Sequence, residues 1–306
     1  MNRTLLIVTV CFGAYALLDL AVSAFVAILW RTRAVAPADL PPQARARRLL
    51  LLRLVPVMTA AAITLAVVAP AFAIFEPAGH EEEMGPVMGL LAIAAVARLS
   101  VAIVLAARSL WLTARFERAW LHESDAIDAP SGLRAYAVHS PTPIIALVGI
   151  FAPKLIAARS VIESCTPEEL SRIVAHERGH LHSRDNFKRW LMASLPDALR
   201  WTPIHHEIVD AWHHAAEDAA DDATTSGEAA ERAELAALLL KIVRLTPQPA
   251  WTTAVVSPFV EGRGLERRVK RLLKPELEPP APIALVPMAV ATIIVAAIAT
   301  TLASPG

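Results

Sequence analysis

Four stretches of this chain are each long and apolar enough to cross a bilayer, and they limit its fold more than any other feature. They cover residues 5–30, 49–75, 86–107 and 282–303. At 1.5 Å rise per residue, a helix needs about 20 residues to span the hydrocarbon. Inside lipid the backbone must satisfy its own hydrogen bonds, so each stretch is expected to be helical. Composition agrees: 55% of the 306 residues are hydrophobic, above the usual range for a soluble domain. The first run is longer than a signal peptide and lacks its basic start and small-residue cleavage site. Formal net charge is zero, so nothing draws the chain generally to nucleic acid. Cys11 and Cys165 neither imply a disulfide framework nor have metal-ligand spacing.

Charge then sets an orientation. Residues 31–48 carry Arg31, Arg33, Arg45, Arg47 and Arg48 against Asp39, whereas 76–85 carry Glu76, Glu81, Glu82 and Glu83 with no Lys or Arg. Basic loops stay in the cytoplasm. The first linker is therefore expected inside, the N-terminus and the acidic loop outside, and the long segment after Arg108 inside. The run at 282–303 follows Arg263, Arg267, Arg268, Lys270, Arg271 and Lys274, a second inner flank that reads as facing phospholipid. The expected architecture is a mainly α integral membrane protein of the plasma (inner) membrane. It has three N-terminal spans within 1–113, a cytoplasmic α+β domain over 114–278, and a fourth span with a short outer tail within 279–306. Pro56 and Pro70 are possible kinks in the second span.

Two charges lie mid-span. Asp19 is about 14 residues from the outer end of its run and Arg98 about 12, so their depths match within about 3 Å. A lone charge there is expensive, and an Asp19–Arg98 ion pair between spans one and three is expected.

In the soluble segment, 122–130 reads as a polar, acid-rich stretch. Residues 134–138, 143–148 and 154–158 read as strands, with Gly149 turning between the last two. That hairpin offers a sheet edge to which an extended peptide could add. Thr166-Pro167-Glu168-Glu169 then has the pattern of a capping box, and Leu170, Ile173, Val174 and Leu181 follow at helical spacing. Inside this helix lies His176-Glu177-Arg178-Gly179-His180. Two histidines four apart share a face and can hold one metal ion, and Glu177 stands beside them as a base for a water. This is the metalloprotease pattern H-E-x-x-H. His182 points round the helix, away from the pair. A zinc site of the gluzincin type takes a third ligand, a Glu, from a later helix. Residues 206–224 read as that helix, with Glu217 the candidate ligand and His213, His214 and Asp221 the competitors. Asp221, four residues on from Glu217, can instead accept a hydrogen bond from a metal-bound histidine. Asp218 and Asp222 read as a solvated acidic face. His205, His206, His213 and His214 are candidates for stabilising an oxyanion, and their spacing does not choose among them.

H-E-R-G-H followed by Glu217-Asp218-Ala219-Ala220-Asp221 resembles the membrane metallopeptidases with H-E-x-x-H and E-x-x-x-D. With three spans, a cytoplasmic zinc domain and one further span, the chain is similar to peptidase family M56, relatives of the bacterial antibiotic-sensing transducers. Ser140-Pro141-Thr142-Pro143, Gly149, Pro153-Lys154-Leu155-Ile156, Thr166 to Leu170 and Asp185 also fit that pattern. The resemblance implies zinc held by His176, His180 and Glu217, with Glu177 as general base. It further implies a protein or peptide substrate, such as a transcriptional repressor cleaved in signalling. The chain differs from those transducers in having no sensor domain after the last run, so a stimulus is expected through the spans, the outer loop or a partner. A membrane quality-control protease of the M48 type and a non-catalytic signalling scaffold are the alternatives.

Overall fold

The computed structural model describes residues 3–32, 40–75, 85–122, 124–128, 134–140, 144–245, 256–258 and 264–274. The apolar run at 282–303, read as a fourth span, lies outside the described residues. Three helices are long and apolar enough to cross a membrane: α1 (Arg3–Arg31), the helix Pro42–Phe75, and α4 (Pro86–His122). The second has parts: α2 (Pro42–Ile63), a π-helical turn (Thr64–Val68) and α3 (Ala69–Phe75). Pro70 lies just beyond that turn. A proline cannot donate to the carbonyl four residues back and its ring crowds that carbonyl, so a widened turn relieves the clash. Pro42 opens α2, where a missing N–H costs nothing, and the arginines at 45, 47 and 48 are thereby helical rather than linker. Helix α4 runs on past Ala107 to His122. Asp19 and Arg98 form the expected pair at 2.7 Å.

The segment after α4 contains a five-stranded sheet of order β1-β2-β4-β3-β5 among the described residues. Strands β2 (Arg134–Val138) and β4 (Lys154–Ala158) have the bounds expected of them, and β3 (Ile145–Val148) is slightly shorter. Two strands depart from expectation. The acid-rich stretch contains β1 (Ser124–Asp128), which pairs antiparallel with β2 although its composition favours turns. The outer side of β3 is not a free edge, because β5 (Val256–Pro258) pairs along it antiparallel.

Helices complete the domain: α5 (Arg159–Ser164), α6 (Pro167–Ser183), α7 (Asp185–Ala193), a 3-10 turn (Ala198–Trp201), α8 (Pro203–Thr224), α9 (Ala229–Leu245) and α10 (Leu265–Leu273). One core joins Leu147, Leu155 and Val161 of the sheet side to Ile173 of α6, Leu235 and Leu239 of α9, and Leu272 of α10. A second core joins this segment to the long apolar helices: Val26 and Leu49 pack with Met192, Leu199, Ile208 and Trp212. Polar pins reinforce it. Arg53 of α2 pairs with Asp197 at 2.6 Å and donates to His205 Nδ1 at 3.0 Å. Asp19 accepts from the Ala198 backbone N–H at 2.9 Å, and Trp190 donates to the Ala106 carbonyl at 3.3 Å. A 3-10 turn wedged among apolar helices leaves backbone N–H groups that lipid cannot satisfy, and Asp19 supplies one partner. Helix α8 thus starts inside the bundle of long helices and runs outward, with Asp218 reaching Arg45 near the start of α2.

Candidate metal centre

The capping box is present: Thr166 Oγ1 accepts from the Glu169 N–H, the Glu169 carboxylate accepts from the Thr166 N–H, and Pro167 opens the helix. This starts α6 in a register that puts His176 and His180 on one buried face. Gly179 lets α8 come close. A Cβ there would sit 3.2 Å from Ala220 Cα, tighter than ordinary packing, so a side chain would press the helices apart by a few tenths of an ångström. The close approach carries Glu217 to the histidines.

The His176 and His180 Nε2 atoms are 3.2 Å apart. Glu217 Oε2 is 3.6 Å from His176 Nε2, and Oε1 is 3.5 Å from His180 Nε2. For zinc bonds of about 2.0–2.2 Å, the edge of a tetrahedron is about 3.3–3.6 Å. The three donors therefore already stand about where one zinc ion would need them, with a fourth corner left for water or substrate. Among the described residues, this is the one group of His, Cys, Asp or Glu with metal-binding separations.

Behind each ring stands a carboxylate. Asp221 Oδ1 is 3.1 Å from His176 Nδ1, and Asp185 Oδ2 is 2.8 Å from His180 Nδ1. With protons on both Nδ1 atoms, both Nε2 lone pairs face the centre, the tautomer a metal requires. Asp185 reaches back because Arg184, between α6 and α7, adopts a left-handed conformation at φ 54°. Sequence reading places Asp221 here but gives Asp185 no role. The clue available was position: an acid five residues past His180, after a break in the apolar pattern. Arg268 of α10 was missed as well. Its Nη1 lies 2.9 Å from Glu217 Oε2, and its Nε and Nη2 lie 2.9 and 2.6 Å from the two oxygens of Asp221.

The electrostatics follow from burial plus these pairs. Burial alone would push the Glu217 carboxyl up, but Arg268 and then His180 hold it well below the usual carboxylate range. Asp221 is lowered in the same way, with Arg268 overcoming burial. Burial opposes charge on His180, yet Glu217 and Asp185 outweigh it and raise the imidazole to about 10. Burial pushes Glu177 up to about 7 against the pull of the two histidines. Its side chain is fully buried, and neither oxygen has a hydrogen-bond partner among the described residues.

The other candidates separate. His182 and His206 are exposed, and His205 is taken up by Arg53. His213, one turn before Glu217, interacts with Arg189 at 3.3 Å, and burial holds it down to about 3. Asp218 is not on a solvated face: it is fully buried and gripped by Arg45 and Arg267. Only Asp222 is exposed as expected.

Comparison with curated proteins finds no match. The family model described as BlaR1 peptidase M56 matches residues 86–272, from the first residue of α4 to within α10, and so spans the long third helix and every residue of the cluster. That match covers more than half of the chain, and on it the chain belongs to the M56 peptidase family.

Proposed function

We propose that this chain is a zinc metalloendopeptidase that cuts peptide bonds of a protein substrate at the cytoplasmic surface of the plasma membrane. His176, His180 and Glu217 are its metal ligands, Asp221 the carboxylate behind His176, and Glu177 the general base. The observation that carries the reading is the pairing of a tetrahedral donor set with a buried, unpartnered carboxylate beside it. A bound zinc ion would lower the pKa of water to about 7 and polarise the scissile carbonyl. Glu177 then takes the proton of the attacking water and returns it to the leaving amine. Asp221 and Asp185 keep the rings from turning, so that Nε2 and not Nδ1 faces the reacting atoms. The basic linker and the acidic loop favour a cytoplasmic domain over 114–278, between spans in 1–113 and a fourth in 279–306. Within that family, the function is read as signalling through cleavage of a regulatory protein such as a transcriptional repressor.

The test is metal analysis of purified protein beside two variants. Wild type should hold about one zinc per chain. Glu177→Gln should keep the zinc and lose hydrolysis, and Glu217→Ala should lose the zinc. Hydrolysis that survives in metal-free Glu177→Gln protein would end the reading.

A further inference from the structure

Helix α8 presents four acids as two pairs, each pair one turn apart: Glu217 with Asp221, and Asp218 with Asp222. The arginines of α10 sort between them. Arg267 takes Asp218 at 2.7 Å, and Arg271 takes Asp222 at 2.7 Å. Both are about one-third exposed, and neither reaches an atom that touches the histidines. Arg268 lies between them in sequence but is only 3% exposed, and it takes the other pair. Its fork spans Asp221 through Nε and Nη2 while Nη1 meets Glu217. The same Asp221 oxygen that receives Nη2 also faces His176 Nδ1.

We infer that Arg268 is a positioning residue of the metal site, whose guanidinium fork fixes the spacing and rotamers of Glu217 and Asp221 so that both meet the His176/His180 pair. The chemistry asks for arginine. Two carboxylates one turn apart need donors in two directions from one rigid plane, and a lysine ammonium offers a single point. The fork also supplies the positive charge that lets two carboxylates share a buried pocket before any metal arrives. Arg268 acts on the metal only through the two acids. It has a consequence for order of assembly: the third ligand is set by a helix 47 residues beyond Asp221, just before the apolar run at 282–303. The site is complete only when α10 has docked.

This inference rests on the metal-site reading, and its test separates the two. Full-length protein in detergent is titrated with Zn²⁺ against a chromophoric chelator, and with Co²⁺ followed by its visible absorption. The variants are Arg268→Lys and Arg271→Gln. Arg268→Lys should weaken zinc binding about 10–100-fold and alter the Co²⁺ spectrum as Glu217 loosens. Arg271→Gln, which loosens α10 without touching a ligand, should bind zinc like wild type with the same Co²⁺ spectrum. Thermal unfolding of the metal-free variants shows whether α10 still docks. Wild-type affinity and spectrum in Arg268→Lys, or an equal loss in both variants, would overturn the positioning role and leave the metal site standing. Wild type that binds no zinc would overturn both.

Discussion

Replacing Asp197 by Ala should lower the unfolding temperature by about 10 °C, and the reason lies in the bundle of long helices rather than in the metal site. Asp197 and Arg53 are both fully buried and 2.6 Å apart. Removing the carboxylate strands the guanidinium, since its hydrogen bond to His205 Nδ1 at 3.0 Å brings no charge to offset it. Breaking one side of a buried pair costs about 3–5 kcal/mol. Asp197 also caps the 3-10 turn by accepting from the Arg200 N–H at 3.1 Å, worth about 1 kcal/mol. At about 2–4 °C per kcal/mol, the sum is on the order of 10 °C. Asp197→Asn keeps an acceptor for Arg200 and should lose about 1 kcal/mol less than Ala. The double variant Arg53→Met/Asp197→Leu removes both charges together. It leaves only the cap and the His205 acceptor unsatisfied, so it should be more stable than Asp197→Ala alone. Thermal unfolding of detergent-solubilised protein, followed by tryptophan fluorescence, measures all three. If Asp197→Ala unfolds within about 2 °C of wild type, or the double variant is no better than the single, the pair does not anchor α8.

Three further outcomes are expected. Asp185→Asn should weaken zinc binding about 10–100-fold while the fold persists, because an uncharged amide can donate as well as accept and no longer fixes the His180 tautomer; chelator competition reads it, and unchanged affinity would remove Asp185 from the site. Gly179→Leu should cost about 1–3 kcal/mol and reduce zinc affinity, since its side chain must push Ala220 away and take Glu217 with it; an unperturbed metal site would mean that α6 and α8 need not approach so closely. Stability should fall in acid. Burial first, and then Arg53, push His205 down to about 3, whereas an unfolded histidine titrates near 6.5. Between those values the unfolded chain binds the extra proton, so this contribution is complete above about pH 6.5 and is lost as pH drops toward 3. Unfolding temperatures measured from neutral to mildly acid pH should show a shallower slope in His205→Gln, and an identical slope would refute the assignment.

What was legible in the sequence was whatever depended on nearby residues or on a single repeated distance. The capping box, the His176/His180 face and the strands β2 and β4 are local patterns. The Asp19–Arg98 pair is not local, but two helices crossing the same slab make depth a shared coordinate, and a count of residues sufficed. Glu217 could be nominated because a site of this type takes a Glu from a later helix and residues 206–224 read as one. What was not legible needed knowledge of which distant segments meet. Strand β5 covers β3 from more than a hundred residues away, and β1 owes its form to pairing with β2 rather than to its own residues. Asp185 matters only because Arg184 turns the chain back.

The acids of α8 show most clearly why polarity alone misleads. Glu217, Asp218, Asp221 and Asp222 on one helix look like a site stripe beside a solvent stripe, and the basic run at 263–274 looks like a flank for the bilayer. Each reading is reasonable while the two segments are apart. Brought together they neutralise one another: Arg267 and Arg45 close over Asp218 from opposite neighbours, α10 and α2, and Arg268 closes over Glu217 and Asp221. A buried carboxylate is tolerable when such partners surround it, so the solvent stripe vanishes at this turn of α8. The helix that brings Glu217 to the histidines is therefore held on one side by the long apolar helices and on the other by the segment leading to the last apolar run.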